Sequence, residues 1–358
     1  MTASYPVLDR GPVDPPDRPG SASERDMPRT AGAGEAWRGP TYYGRQALKP
    51  APFEAGVVGG YVFLAGLSGA SALIATVADV AMGRRAEALV RRGRYAAMLA
   101  PTLGSALLVY DLNTPERFYN MFRVAKGTSP MSIGTWILVS FSGAASLSAA
   151  AQFAADRGVG PARGIARAAS LPAALTGAGL ATYTAALLAA TSTPLWAAAP
   201  RALAVRFGSS AIASGAMALW LGERDGGLKR RLETLAAAAL AVDLASDAVS
   251  AVIYRRSGVA PALSGPAGMV EKVLATGLGA ALPLGLYAAS RLAGYRPTRN
   301  QGALAALAVL AGGALLRISM IKAGETSARR PDVSFRFMQP DNLPEGDPAR
   351  ERPTIRRG

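Results

Sequence analysis

Between two long apolar runs of this sequence lies a polar segment, residues 111–136, whose side chains could bind charged or hydrogen-bonding groups. Its ionisable and amide residues are Asp111, Glu116, Arg117, Asn120, Arg123 and Lys126. The run 113–115 predicts the N-cap and first turn of a short helix over 116–123, and Pro130 predicts the start of the next long helix. Because each neighbouring run is long enough to cross a bilayer, this segment must lie at a membrane surface or fold back between helices.

A second set of ionisable residues occurs inside the apolar runs themselves. They are Asp79, Asp243, Asp247, Glu271, Lys272 and Arg317. Each charge costs about 2.5–3.5 kcal/mol in the hydrocarbon core on insertion scales, so each needs a partner or water. Two interpretations follow, a proton path or helix-to-helix ion pairs, and the pattern favours the pairs. Asp243 and Asp247 share a helix face, and similar depths predict that Arg317 pairs with one of them. Glu271 and Lys272 lie near a helix start and are interpreted as snorkelling.

The elements that must position these groups are eight apolar segments, each near the length of a membrane-spanning helix. They are residues 56–82, 95–110, 133–155, 168–190, 207–221, 228–254, 267–292 and 303–321. The predicted fold class is all-α, a polytopic membrane protein with eight transmembrane helices in two four-helix groups. The predicted domains are a disordered tail over 1–40, a first group over 41–196, a second group over 197–323 and a disordered tail over 324–358.

Composition excludes several kinds of site. The 358 residues contain neither Cys nor His, which excludes disulfides, thiolate-bound iron–sulfur clusters, imidazole-ligated haem and the usual zinc sites. Any redox function would therefore use a diffusible cofactor or the centres of a partner, with no haem and no metal in this chain. The net charge of +15 comes from Arg residues at helix ends, which favours membrane-lipid contacts over nucleic acid.

Lys and Arg are concentrated in the first, third, fifth and seventh loops, whereas the even loops, to which the pattern assigns Arg206, hold fewer. By the positive-inside rule the odd loops face the cytoplasm. Both termini and the segment 111–136 are then expected on the outer side of the membrane.

Three stretches carry a family resemblance, and they occur in the same order as in the family. DLNTPERFYNMFR at 111–123 is followed by TSPMSIGTW at 128–136, with TYYGRQALKPAPFEAG upstream at 41–56 and YTAALLAATSTPLW downstream at 183–196. Together they resemble the polysulfide-reductase membrane-subunit family, the NrfD-like proteins. The resemblance covers about residues 41–323, although beyond residue 210 only the pattern matches.

The resemblance implies a haem-less integral membrane subunit of a multi-subunit oxidoreductase in the cell membrane of a prokaryote. Such a subunit would anchor a four-cluster iron–sulfur protein, serve a molybdopterin-type catalytic subunit, and exchange electrons with menaquinone or ubiquinone. The implied quinone-binding residues are Tyr42, Tyr43, Lys49, Asp111, Arg117, Tyr183 and Thr184. The implied partner-docking residues are Glu116, Asn120, Arg123 and Lys126.

Alternatives stay open at this point. Tyr42 and Tyr43 could belong to an interfacial aromatic belt, and Asp111 with Arg117 could form a structural ion pair. The chain could also be a membrane transporter, a proton-translocating subunit with buried carboxylates, or a purely structural anchor. A transporter would need helices broken near the midplane in both halves, and Pro172 and Pro283 do not occupy matching positions.

Overall fold

The computed structural model describes residues 48–51, 53–112, 114–295 and 297–338, and the structural statements below refer to these. The α-helices are α1 (Ala55–Met82), α2 (Glu87–Ala96), α3 (Ser105–Tyr110), α4 (Pro130–Asp156), α5 (Ala162–Ala189), α6 (Pro194–Ala198), α7 (Pro200–Gly222), α8 (Gly226–Arg256), α9 (Pro266–Met269), α10 (Leu282–Leu292), α11 (Arg299–Arg329) and α12 (Pro331–Met338). Short 3-10 helices cover Gly83–Ala86, Ala97–Leu99, Pro115–Phe122 and Ala260–Leu263, and π-helices cover Ala100–Gly104 and Val270–Ala281. The described chain contains no strand, which confirms the all-α fold class.

Seven helical stretches of the described chain are long and apolar enough to cross a membrane. The first, Ala55–Tyr110, has 56 residues, more than twice the length that a bilayer needs. It folds back at Gly83, whose φ of 53° suits glycine. Gly93 then lies against Ser71 on α1, and Gly104 against Leu64, so the two arms run antiparallel. This stretch therefore supplies two crossings, in agreement with the eight predicted.

The fifth crossing, α7, differs most from its predicted bounds. It begins at Pro200, seven residues before the predicted start, because a proline suits the first helical turn and needs no N–H partner there. Arg206 consequently lies inside a membrane helix with 2% of its surface exposed. Its assignment to a loop is wrong, and removing it from the even loops increases the charge asymmetry between the two ends of the bundle.

Two crossings are irregular, one in each half of the chain. The second contains Pro101 within its π-helix, and the seventh has its π-helix directly before α10 and Pro283. Proline removes a helical N–H and widens the turn around it. Pro101 is thus a further proline within a crossing, besides Pro172 and Pro283, that bears on the transporter alternative. The second and seventh crossings are still not equivalent positions in two four-helix groups.

The chain beyond Gly324 was predicted to be disordered, and this is wrong for residues 324–338. Helix α11 continues to Arg329 and α12 follows after a break at Arg330. Val333 of α12 is fully buried, and the Ser334 hydroxyl donates to the carbonyl of Ser327. Burial of this apolar turn against α6 and α11 compensates for the charged composition that suggested disorder.

Helix α1 lies at the centre of the bundle and packs against α5, α7 and α11 as well as α2. Small residues allow these close approaches. Gly69 of α1 meets Gly177 of α5, and Gly279 of the seventh crossing meets Gly312 of α11. In the membrane such contacts replace the hydrophobic driving force between helices. Because α1 contacts both halves, the division into two four-helix groups stays a prediction.

Candidate functional site

Three polar side chains lie within electrostatic range near one end of the bundle, where α3 and α5 both pack against α1. Asp111 follows α3 and is half-buried, and both Asp111 and Tyr183 of α5 interact electrostatically with Tyr61 of α1. Burial raises the pKa of the Asp111 carboxyl, and although a backbone hydrogen bond from Glu54 opposes this, the pKa stays above its usual value. The group therefore combines two phenols with a carboxyl that is more readily protonated than a free one.

Tyr183 also has a structural role. Its hydroxyl donates to the carbonyl of Pro130 at the start of α4, and its ring lies against Gly134, where any Cβ would overlap with it. Tyr183 therefore holds the beginning of α4 against α5. The phenol oxygen can still accept a hydrogen bond from another group.

Of the other predicted quinone-binding residues, the structure describes Lys49, Arg117 and Thr184, and it shows no contact between them and this cluster. Tyr42 and Tyr43 lie outside the described residues. Lys49 and Arg117 are exposed, and Thr184 is half-buried one residue beyond Tyr183. Among the described residues no ion pair joins Asp111 to Arg117, so that alternative is wrong.

Tyr61 is not among the predicted residues, because the predicted tyrosines precede the first helix or lie in the fourth. The signal that could have found it is a phenol about two turns inside the first apolar run. Among the described residues its hydroxyl has no hydrogen-bond partner.

The predicted short helix of the segment 111–136 is confirmed as the 3-10 helix Pro115–Phe122. With three residues per turn, Arg117, Asn120 and Arg123 form one row, and the Arg123 guanidinium lies 3.4 Å from the amide oxygen of Asn120. Phe118 and Phe122 form T-shaped aromatic contacts on the other faces and are exposed. A basic row and exposed aromatic rings thus project from the same end of the bundle.

Glu116, Asn120 and Arg123, the predicted docking residues of this helix, are exposed. Lys126, the fourth, is exposed too, and it lines an open groove of about 420 Å³ with Trp136, Ser140 and Thr176. The hydroxyl of Ser132 fixes the loop above the groove, since it accepts from the Lys126 N–H at 2.9 Å.

A buried ionic cluster lies in the second half of the chain, around Arg206. Its guanidinium is 2.7 Å from an oxygen of Asp247, 2.6 Å from one of Glu271 and 3.5 Å from one of Asp243. Thr276 completes the cluster, 2.7 Å from Arg206 and 3.1 Å from Glu271. The π-helix explains the last contact, because its hydrogen bonds span five residues and bring 271 and 276 together. Glu271 is therefore buried in an ion pair, and the snorkelling interpretation is wrong for it; Lys272 is exposed.

Arg317 does not pair with Asp243 or Asp247, so the predicted ion pair is wrong. Its guanidinium donates to the carbonyls of Gly313 at 2.7 Å and Phe207 at 3.0 Å, and to the Ser210 hydroxyl at 3.2 Å. The prediction failed because Arg206, assigned to a loop, occupies the position between the carboxylates.

The cluster contains three carboxylates and one directly paired arginine, and its hydrogen bonding is incomplete. An oxygen of Asp243 and the Nε of Arg206 are buried without a hydrogen bond among the described residues. A cavity of about 10 Å³ adjoins both side chains and Ser210. That space is at the lower limit for one water molecule, and the two atoms lie 3.5 Å apart as an ion pair.

Asp79 belongs to a separate cluster in the first half. It lies 3.1 Å from Arg94 and 3.4 Å from Arg167, and Arg94 also donates to Gln152 at 2.6 Å and Ser170 at 3.1 Å. These contacts join α1, α2, α4 and α5. In the part of the chain described, no group of three or more Asp or Glu side chains could hold a metal ion.

These features define an all-α, multi-pass integral membrane protein with a polar cluster at one end and buried ion pairs within the bundle. The chain belongs to the polysulphide reductase NrfD family, whose family model matches residues 46–328. Members of this family are membrane subunits of oxidoreductases, interact with quinone, and associate with iron–sulfur and molybdopterin subunits. A comparison with curated proteins found no match.

Proposed function

We propose that this chain is the quinone-reactive, haem-less membrane subunit of an oxidoreductase complex in the prokaryotic cell membrane. It anchors a four-cluster iron–sulfur protein that serves a molybdopterin-type catalytic subunit, and it exchanges electrons with menaquinone or ubiquinone. The observation that carries this proposal is the convergence of Tyr61, Asp111 and Tyr183 from three crossings at the end that also bears the 3-10 helix Pro115–Phe122. A quinone bound there would lie close to a docked partner.

The three side chains suit a quinone head group. A quinone bound there would supply two-electron, two-proton chemistry. The Tyr61 hydroxyl can donate to a carbonyl of the head, and the Tyr183 oxygen can accept from a hydroxyl because its proton is already used for Pro130. Asp111 has a raised pKa and is partly exposed at the end of α3, so it can pass protons between the quinone and the surface.

The exposed row of Arg117, Asn120 and Arg123 is the proposed docking surface, with Glu116 and Lys126 beside it. Guanidinium groups bind carboxylates of a partner through charge-assisted hydrogen bonds. The basic odd loops support placement of this end, and of both termini, on the outer side of the membrane.

Substitution of the polar groups tests the site. In the assembled complex, Tyr61→Phe and Asp111→Asn should each lower quinone-linked turnover at limiting quinone by about tenfold, the effect of one hydrogen bond to the head or one proton relay. Tyr110→Phe is the matched control, because Tyr110 precedes Asp111 but is 73% exposed. If all three variants turn over alike while the complex stays intact, the quinone binds elsewhere, and the groove beside Lys126 becomes the next candidate.

The orientation has its own test, made simple because the chain contains no cysteine. Asn120→Cys should react with an impermeant thiol reagent in whole cells. Gly160→Cys, in an odd loop with open space around it, should react only after permeabilisation. The reverse pattern would invert the proposed topology.

A second function, proton transfer, is favoured by the excess of carboxylates around Arg206 and the water-sized cavity beside Asp243. Asp243→Asn removes a proton acceptor and keeps the shape of the side chain. In liposomes containing the complex, this variant should abolish acidification coupled to quinone turnover without slowing turnover itself. If the wild type moves no protons, the cluster is structural only.

A further inference from the structure

At the end opposite the Tyr61 site, an apolar cavity of about 350 Å³ opens between α1, α2, α7 and α8. Its lining includes Leu73, Val77, Ala81 and Met82 of α1, Leu89 of α2 and Arg231 of α8. Arg231 alone carries a charge, and the remaining lining residues are apolar. Val77 of this lining and the adjacent Val80 are 57% and 65% exposed, as expected of a surface that faces lipid tails.

The dimensions of the cavity match one leaflet of a bilayer. Its wall on α1 runs from Leu73 to Met82, about 13 Å along the helix axis. A hydrocarbon core of about 30 Å leaves about 15 Å for each leaflet. Arg231 lies in the first turns of α8, near the loop, so the charged end of the cavity is its surface end.

The charges around the mouth are unbalanced. Two nearby carboxylates are neutralised, since Glu223 pairs with Arg92 and Glu87 with Arg163. Two more accept hydrogen bonds from neutral donors, Glu233 from the indole N–H of Trp220 and Asp225 from the N–H of Leu228, and keep their charge. Among the described residues Arg84, Arg85 and Arg231 form no ion pair. Arg84 and Arg85 lie in the turn between Met82 and Leu89, two residues that line the cavity. A cationic rim therefore borders an apolar slot.

We propose that this cavity binds an anionic phospholipid, with one acyl chain between α1 and α8 and the phosphate at Arg231. The acyl chain matches the apolar lining and the leaflet depth, and the phosphate offers the acceptors that guanidinium groups bind bidentately. A quinone head fits less well, because Arg231 is the one hydrogen-bond donor side chain in the lining and the second carbonyl of the head would have no partner. The site is distinct from the Tyr61 cluster and does not depend on the redox proposal.

The test is native mass spectrometry of the purified protein, delipidated and then titrated with phosphatidylglycerol or with phosphatidylcholine of the same acyl chains. The wild type should hold one phosphatidylglycerol molecule and prefer it over phosphatidylcholine by about tenfold, because the choline ammonium of phosphatidylcholine cancels the phosphate charge that the cationic rim attracts. Arg231→Gln should remove the preference. Arg230→Gln is the matched control, because it deletes an adjacent exposed charge that does not line the cavity.

A second pair of variants tests the slot itself. Ala81→Phe should fill the cavity and abolish retention of either lipid, whereas Ala150→Phe, an exposed alanine of α4, should not. The proposal is overturned if the wild type retains both lipids equally, if Arg231→Gln keeps the preference, or if Ala81→Phe keeps the lipid. It is also overturned if the molecule retained from native membranes has the mass of a quinone.

Discussion

Arg206 and Arg317 have similar depths of burial and are stabilised in opposite ways. They are 2% and 1% exposed, and Arg317 contacts Phe207 and Ser210, which follow Arg206 on α7 by one and four residues. Arg206 is surrounded by three carboxylates, whereas Arg317 binds only carbonyls, a hydroxyl and the faces of Phe63 and Phe207. Burial of a cation therefore does not identify its partner, since dipoles and aromatic rings can stabilise it as well.

The comparison also shows where the excess negative charge lies. Only Arg206 directly neutralises Asp243, Asp247 and Glu271, and Arg317 acts on Asp243 from a greater distance. Removing Arg206 would leave buried carboxylates without a counter-ion, whereas removing Arg317 would leave only neutral acceptors. The two substitutions should therefore differ in severity.

The largest effect is expected for Arg206→Leu. Breaking a buried ion pair on one side costs about 3–5 kcal/mol, and here three carboxylates lose their partner. The amount of monodisperse protein extracted from membranes should fall to a small fraction of the wild type, as measured by size-exclusion chromatography of a fluorescent fusion. Adding Asp247→Asn to this variant should recover part of it. If Arg206→Leu gives as much monodisperse protein as the wild type, the ionic cluster does not stabilise the fold.

Arg317→Leu should be milder, about 1–3 kcal/mol, because it leaves carbonyl and hydroxyl acceptors unsatisfied but strands no charge. Combining Arg317→Ala with Asp247→Ala should not rescue the single variant, since the two side chains do not pair. If the double variant yields more folded protein than Arg317→Ala in the same chromatographic assay, then Arg317 and Asp247 do form an ion pair, contrary to the structure.

The smallest effect is expected for Asp243→Asn. Asp243 has an oxygen without a hydrogen bond and lies 3.5 Å from Arg206, whereas Asp247 makes a direct contact at 2.7 Å. Asp243→Asn should change the free energy of unfolding by less than about 1 kcal/mol, and Asp247→Asn should cost about 1–3 kcal/mol. Thermal denaturation in one detergent ranks the two, and the opposite ranking would mean that Asp243 is the principal counter-ion.

Much of the fold could be predicted from the sequence, the eight crossings from apolar length and the short helix before Arg123 from its capping residues. The start of α7 could not, because hydropathy counts Arg201 and Arg206 as loop residues and cannot supply the carboxylates that neutralise Arg206. The order of α12 was missed for a similar reason: a charged segment folds when a neighbouring surface, here α6 and α11, buries its few apolar residues.

Part of the candidate site was predictable as well. Asp111 and Tyr183 were identified from their motifs, whereas Tyr61 was not, because a phenol inside an apolar run resembles an ordinary packing residue. Tyr61 becomes a candidate site residue because α3 and α5 pack against α1, and no local sequence pattern predicts that packing.

The sequence by itself determined the number of crossings, the basic character of the odd loops and the absence of Cys and His ligands, since each depends on composition and run length. Only the tertiary structure decided which charges meet. Pairing depends on which helices are neighbours and how each is rotated, and a π-helix such as Val270–Ala281 changes the rotation of every residue after it. Arg206 of α7 lies between the buried carboxylates of α8 and the seventh crossing, whereas Arg317 of α11 does not.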